Sequence, residues 1–274
     1  MNLPVTAQFT DPAFLKTSQY RDSTNLDARV MIHQRFSTNP YGWFNWVFDA
    51  LTRLPDHARL LELGCGPGYM WTECARRVPP AWNITLSDLS PGMLDAAWRN
   101  LVVTGRSFKF EQIDAQSIPC PDQTFDAVIA CHMLYHVPDR KKALSEIRRV
   151  LKADGHLFAT TVGDGHLKEI SAWLSRAAGK NEGLTPFSQP FLLENGLSQL
   201  QEFFPHVEIS RYPDNLKVTE VEPVMAYIRS GIRAVEFSEI ELAGIEKELR
   251  EQLEQHGEIF ITKDSGLFLA KKNP

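Results

Sequence analysis

Three glycines at alternate positions, Gly64, Gly66 and Gly68, carry the strongest chemical signal in the chain. They sit in LLELGCGPGYM, residues 60–70, after an apolar run and before a helical pattern that begins near Tyr69. A strand, a glycine-rich turn and a helix N-terminus make a receptive site for a ligand's polar groups, because unpaired N–H groups converge there. Glycine lets the backbone take positive φ and approach a ligand closely. Cys65 lies between the first two glycines. Glu62 lies two residues before the first, where it can accept hydrogen bonds from a cationic or hydroxylated ligand. Counting separates this loop from two nucleotide motifs. The dinucleotide pattern G-x-G-x-x-G needs glycine where Tyr69 stands, and a phosphate loop needs a lysine that the stretch lacks.

Two more carboxylates end apolar runs further along. Asp88 closes NITLSD about 20 residues beyond the loop, the place from which an acidic side chain binds both hydroxyls of a ribose. It could instead cap the helix that Pro91 announces. Asp114, in Gln112-Ile113-Asp114-Ala115, can accept from an exocyclic amine such as adenine's, or can initiate a turn. His132 and His136 follow the fourth apolar run. Their i, i+4 spacing suits a metal pair on a helix, but no third ligand stands near and no metal is expected. His132 is the better candidate for a general base, with His136 and Tyr135 behind it.

Such residues meet only if strand ends are gathered on one side of a sheet. From Ala58 to Val162 short apolar runs (59–63, 83–87, 108–113, 125–131 and 156–162) alternate with helical patterns (69–77, 93–103 and 141–151). This alternation predicts a doubly wound α/β fold with a parallel sheet and right-handed crossovers. Residues 1–57 read as an N-terminal helical lid, 58–162 as the ligand-binding core and 163–205 as a helical cap insertion. Residues 206–274 return to the sheet with added helices and a closing strand pattern over 258–270, interrupted near Asp264–Gly266. Arg35 and Tyr20 of the lid are placed to close over a ligand, Arg35 by pairing with a carboxylate. Trp43, Trp46 and Phe48 read as core. Trp173 in the cap is a candidate wall of an acceptor pocket, with Leu174, Phe187 and Phe191 helping to exclude water.

The balance of 29 basic against 34 acidic residues leaves a net charge of −5, which argues against an electrostatic grip on nucleic acid. No run reaches the ~18 apolar residues that span a bilayer, so no membrane partner is expected. The N-terminal stretch lacks the basic start and apolar core of a secretion signal. The four cysteines lack C-x-x-C spacing and read as free thiols in a reducing, cytoplasmic compartment.

In order, ELGCGPG, DLSPGML, the Asp114-Ala115 pair, FDAVIACHMLYHV and the helix EIRRVLKADGHL resemble the class I S-adenosylmethionine-dependent methyltransferases, most closely the type 11, small-molecule branch. The resemblance covers residues 58–162. It implies a Rossmann-like sheet of seven strands, the last antiparallel and inserted between the fifth and sixth. It places Glu62, Gly64 and Gly66 beside the methionine part of S-adenosylmethionine, Asp88 on the ribose, Leu89 or Met93 against the adenine and Asp114 and Ala115 at the adenine edge. Cys131 falls beside the methionine end, and the HVPD turn gives His136 a structural role. The activity implied is methyl transfer to a nitrogen or oxygen, or a carbon, of a small organic molecule. Modification of tRNA or protein, and binding of the cofactor without methyl transfer, are the alternatives.

Overall fold

The computed structural model describes residues 5–179 and 190–273. Phe187 and the rest of 180–189 lie outside the described residues. The N-terminal part holds α1 (Val5–Gln8), α2 (Pro12–Phe14), a π-helical turn (Leu15–Gln19), α3 (Thr24–Phe36) and α4 (Trp43–Leu51). The core follows as β1 (Arg59–Leu63), α5 (Tyr69–Glu73), β2 (Asn83–Asp88), α6 (Pro91–Val102), β3 (Lys109–Gln112), β4 (Phe125–Cys131), α7 (Arg140–Val150) and β5 (Leu151–Val162). Beyond it come α8 (Lys168–Ala177), α9 (Leu193–Gln201), β6 (His206–Tyr212), β7 (Asn215–Val218), α10 (Val221–Arg229), α11 (Glu239–His256), β8 (Ile259–Thr262) and β9 (Ser265–Lys271).

Seven strands form one sheet in the order β3-β2-β1-β4-β5-β9-β6. The strands β1 to β5 pair in parallel, and β9 runs antiparallel between β5 and β6. The closing strand divides in two close to the expected interruption. Its second half is β9, while its first half, β8, pairs with β7 in a separate two-stranded sheet. Lys263 and Asp264 form the break. The fifth strand begins at Leu151, earlier than expected, with a register shift opposite Phe125 and Ala127.

Side chains alternate across the main sheet, as the two-residue period of a strand requires. Leu61, Leu63, Val128, Ala130, Leu157 and Ala159 bury one face with residues of α7 and α9. Leu60, Ile84, Leu86, Ala127, Ile129 and Phe158 bury the other with residues of α4, α5 and α6. A third apolar cluster joins α3, α8, α10 and α11 to the small sheet. Caps fix the helix starts that matter. Ser90 accepts from the Met93 N–H ahead of Pro91, and Asp139 accepts from the Lys142 N–H. Among the described residues no helix is long and apolar enough to cross a membrane.

Candidate active site

The C-terminal ends of β1 to β5 open into a cavity of about 420 Å³. Such crevices are where ligands bind in open α/β sheets. Gly64, Gly66 and Gly68 have φ of +67°, +53° and +73°, the left-handed region that side chains rarely occupy. A Cβ on Gly64 would lie 2.8 Å from Met133 Cβ, so this turn has no room for one. The cavity runs along the loop, and Gly64, Cys65, Gly66 and Gly68 all line it.

Asp88 binds the loop rather than capping the helix; Ser90 is the cap. One carboxylate oxygen of Asp88 accepts from the Gly66 N–H at 2.9 Å, and the other accepts from the Ser90 N–H at 2.9 Å. Burial pushes its carboxyl upward, against the pull of those N–H groups. A carboxylate has more lone pairs than these two bonds use, and Asp88 lines the cavity. Leu89, Met93, Asp114 and Ala115 also line the cavity. Asp114 also does the turn chemistry, accepting from the Gln116 N–H at 2.8 Å.

Glu62 is buried and accepts from the Trp71 indole N–H. Burial pushes its carboxyl up to about 7; the indole opposes this and the Asp88 charge adds to it. Burial also raises the Cys65 and Cys131 thiols, so neither is an activated nucleophile. All four cysteines are free.

The N-terminal segment borders the cavity. Phe9, Leu15, Tyr20, Leu26 and Val30 line the cavity. Ser90 Oγ donates to the Tyr20 carbonyl at 2.6 Å, and the Arg21 carbonyl lies where a Cβ on Gly92 would be, 1.8 Å away. Only glycine permits that approach. His136 completes the tie. Its Nδ1 lies 2.7 Å from the Phe9 carbonyl and must donate to it, so its Nε2 accepts from the Tyr20 hydroxyl at 2.9 Å. Both ring nitrogens are thus engaged, and burial lowers His136 to about 4. His136 thus ties the N-terminal segment to the turn after β4, and protein partners occupy both its ring nitrogens.

His132 lines the cavity with positive φ, +51°, and does not share a helix with His136, so the helical metal-pair spacing does not apply. Burial, reinforced by the Lys263 ammonium, lowers it to about 4. Its ring packs against Trp43, 5.4 Å between centroids, and Tyr135, 6.5 Å. Trp43, expected in the core, therefore lines the cavity. Among the described residues one trio with metal-ligand spacing exists, Asp164, Glu194 and Asp264. Arg211 already bridges Glu194 and Asp264, and none of the trio lines the cavity.

Two expectations are corrected. Arg35 points away from the cavity and pairs with Glu220 at 2.5 Å, both side chains about half exposed. The same helix instead presents Leu26, Arg29, Val30 and His33 to the cavity, at the i, i+3, i+4, i+7 spacing of one face. Trp173 is 3% exposed and packs in the third apolar cluster with Ile32, Phe36 and Leu216. Its neighbours Ile170 and Leu174 line the cavity in its place. Phe191 is also core, 5.7 Å from the Phe268 ring. Of the segment expected to cap the pocket, α8 borders the cavity and α9 packs against β6 and β9. From α10 and the turn after it, Tyr227, Ile228 and Ile232 complete the wall.

The strand order, the antiparallel insertion and the loop clamped by Asp88 define a class I, Rossmann-like methyltransferase fold. The methyltransferase-domain family model matches residues 61–159. Over 119 residues the chain is 37% identical to the ubiquinone/menaquinone biosynthesis C-methyltransferase UbiE of Pasteurella multocida, covering 42% of this chain and 44% of that protein. It is 33% identical over 119 residues to a malonyl-[acyl-carrier protein] O-methyltransferase of Serratia marcescens, covering 42% and 43%. The matches thus span less than half the length of these curated relatives. A solved structure of phosphoethanolamine N-methyltransferase 2 from Haemonchus contortus, in complex with S-adenosyl-L-methionine, superposes with a TM-score of 0.58 at 21% identity, covering 97% of this chain and 60% of that one.

Proposed function

We propose that this chain transfers the methyl group of S-adenosylmethionine to a small organic acceptor, at nitrogen or oxygen, with carbon as a further option. The observation that carries this reading is Asp88. Its carboxylate ties the Gly66 turn to the end of β2 and still faces the cavity, where a ribose diol would find it. Glu62, Gly64, Gly66, Asp114, Ala115, Leu89, Met93 and Cys131 all line the cavity; in this reading the first three and Cys131 take the methionine part, Leu89 or Met93 packs on the adenine and Asp114 and Ala115 take its edge. The segment pinned by Tyr20 and His136 closes over it.

A sulfonium supplies a methyl group that is already activated. The protein must therefore align an acceptor lone pair with it and keep water out. Val162, Ile170, Leu174, Ile228 and Ile232 give the apolar wall for that task. His132, neutral at physiological pH, can accept a hydrogen bond from an acceptor N–H or O–H and so orient the lone pair. Calorimetry with S-adenosylhomocysteine and conversion of S-adenosylmethionine to S-adenosylhomocysteine across a panel of small amines, phenols, carboxylic acids and quinols test the reading. Binding with turnover on one class supports it. Binding without turnover on any class favours a non-methylating role, and no binding removes the cofactor assignment.

A further inference from the structure

Among the described residues three buried side-chain polar atoms have no hydrogen-bond partner: Arg29 Nη2, His33 Nδ1 and Tyr212 Oη. The first two belong to one face of α3, one turn apart, and both residues line the cavity. Buried polar atoms are paired in nearly all folded proteins, so two orphans on residues that line one cavity mark a place where a ligand's polar atoms belong.

The surroundings say which polar atoms. The acidic lining residues Glu62, Asp88 and Asp114 come from β1, the end of β2 and the turn after β3. On the other side of the sheet's midline the lining carries the imidazoles of His132, after β4, and His166, after β5, and the Lys263 ammonium, ahead of β9. In the sheet order β3-β2-β1-β4-β5-β9 all three lining carboxylates therefore stand toward β1 to β3, and among the described residues the part beside β4, β5 and β9 has none. The His33 ring stacks on His166, 6.1 Å between centroids, and meets Tyr227 edge-on at 6.1 Å. Lys263 is compensated by buried Asp214, which also accepts from Ser37, Thr38 and Asn39. Arg29 has no such carboxylate. Its Nε donates to the Asn25 carbonyl at 3.1 Å, and its guanidinium lies over the Tyr20 ring at 5.3 Å. A guanidinium withdrawn from water is favourable only when paired, and the planar partner that suits it is a carboxylate.

Resting on the methyl-transfer reading above, we propose that the half of the cavity beside β4, β5 and β9 is an acceptor subsite for a carboxylate-bearing small molecule, its carboxylate held by Arg29 Nη2 and His33 Nδ1. A neutral imidazole can carry its proton on Nδ1 and donate it. The apolar body of such an acceptor then lies against Ile170, Leu174, Ile228 and Ile232.

Benzoate and its neutral isostere benzamide are the probes, titrated into the S-adenosylhomocysteine-saturated protein and followed by calorimetry and by tryptophan fluorescence. The proposal expects benzoate to bind at least tenfold tighter than benzamide. Arg29→Gln should abolish that preference, His33→Phe should reduce it severalfold and Arg29→Lys should keep part of it, which separates lost charge from lost fold. Equal affinity of the two probes, or a preference untouched by Arg29→Gln, overturns the subsite. A carboxylate could also come from the cofactor's own amino-acid end. If Arg29→Gln weakens S-adenosylhomocysteine tenfold and leaves benzoate binding intact, the guanidinium serves the cofactor and the proposal is wrong. Failure of S-adenosylhomocysteine to bind the wild-type chain contradicts the methyl-transfer reading instead. The benzoate preference, measured without it, then still decides the subsite.

Discussion

Replacing Asp88 by asparagine separates its two tasks. The two carboxylate oxygens are used individually, one for the Gly66 N–H and one for the Ser90 N–H, each at 2.9 Å. Asparagine has one oxygen, so one N–H must face an NH₂ group and lose its partner. An unsatisfied donor of this kind costs about 1–3 kcal/mol. At ~2–4 °C per kcal/mol for a domain of this size, the melting temperature should fall by roughly 2–12 °C. A bond from a ribose hydroxyl to the carboxylate is charge-assisted and contributes about 1.5–3 kcal/mol. Its loss should weaken S-adenosylhomocysteine about tenfold to a hundredfold. Scanning calorimetry reads the first effect and titration calorimetry the second. If the variant melts lower yet binds S-adenosylhomocysteine within twofold of wild type, Asp88 only clamps the loop, and the ribose assignment is refuted.

Trp173→Ala should cost about 3–5 kcal/mol in chemical denaturation and leave S-adenosylhomocysteine affinity nearly unchanged, because Trp173 packs in the core beside the cavity; a large affinity loss with little destabilisation would return it to the pocket wall. Glu62, with its carboxyl near 7, is partly protonated at neutral pH, and the ammonium group of a bound methionine moiety favours its ionised form. Binding at pH 7 should therefore release a fraction of a proton, seen as a dependence of the binding enthalpy on buffer ionisation enthalpy; its persistence in Glu62→Gln would contradict this origin. His132 and His136 are held near 4 against 6.5 when unfolded, so between those values the unfolded chain binds more protons and stability falls as pH drops from 6.5 toward 4. The His136→Phe variant should show a shallower fall and faster proteolysis near Phe9; an unchanged slope would remove His136 from the titration. Turnover should survive chelation, and its loss with recovery on adding a divalent ion would require a metal site.

The sheet core was legible because its signals are local. The short apolar runs of β1 and β4, the glycines at alternate positions and Pro91 at its helix start each act within a few residues, and the structure keeps Arg59–Leu63 and Phe125–Cys131 where the pattern puts them. What the sequence hid depends on distant partners. The four-residue strand β7 exists because β8, over 40 residues later, pairs with it, and Lys263 is fixed by Asp214. Arg35 and Arg29 share one helix, and only the packing of Ile32 and Phe36 against the small sheet decides which faces the cavity. The spacing of Leu26, Arg29, Val30 and His33 was the available clue, weakened because that face mixes charge with apolar residues. Trp173 could not be assigned from type alone, since a tryptophan serves equally as core or as pocket wall.

The most direct test of the account is a structure of the chain crystallised with S-adenosylhomocysteine. The account predicts the ligand along the Gly64–Gly68 turn, both ribose hydroxyls within hydrogen-bond distance of Asp88 and the sulfur directed toward the space bounded by Cys131 and His132. A ligand seated elsewhere, or ribose hydroxyls that ignore Asp88, would contradict it.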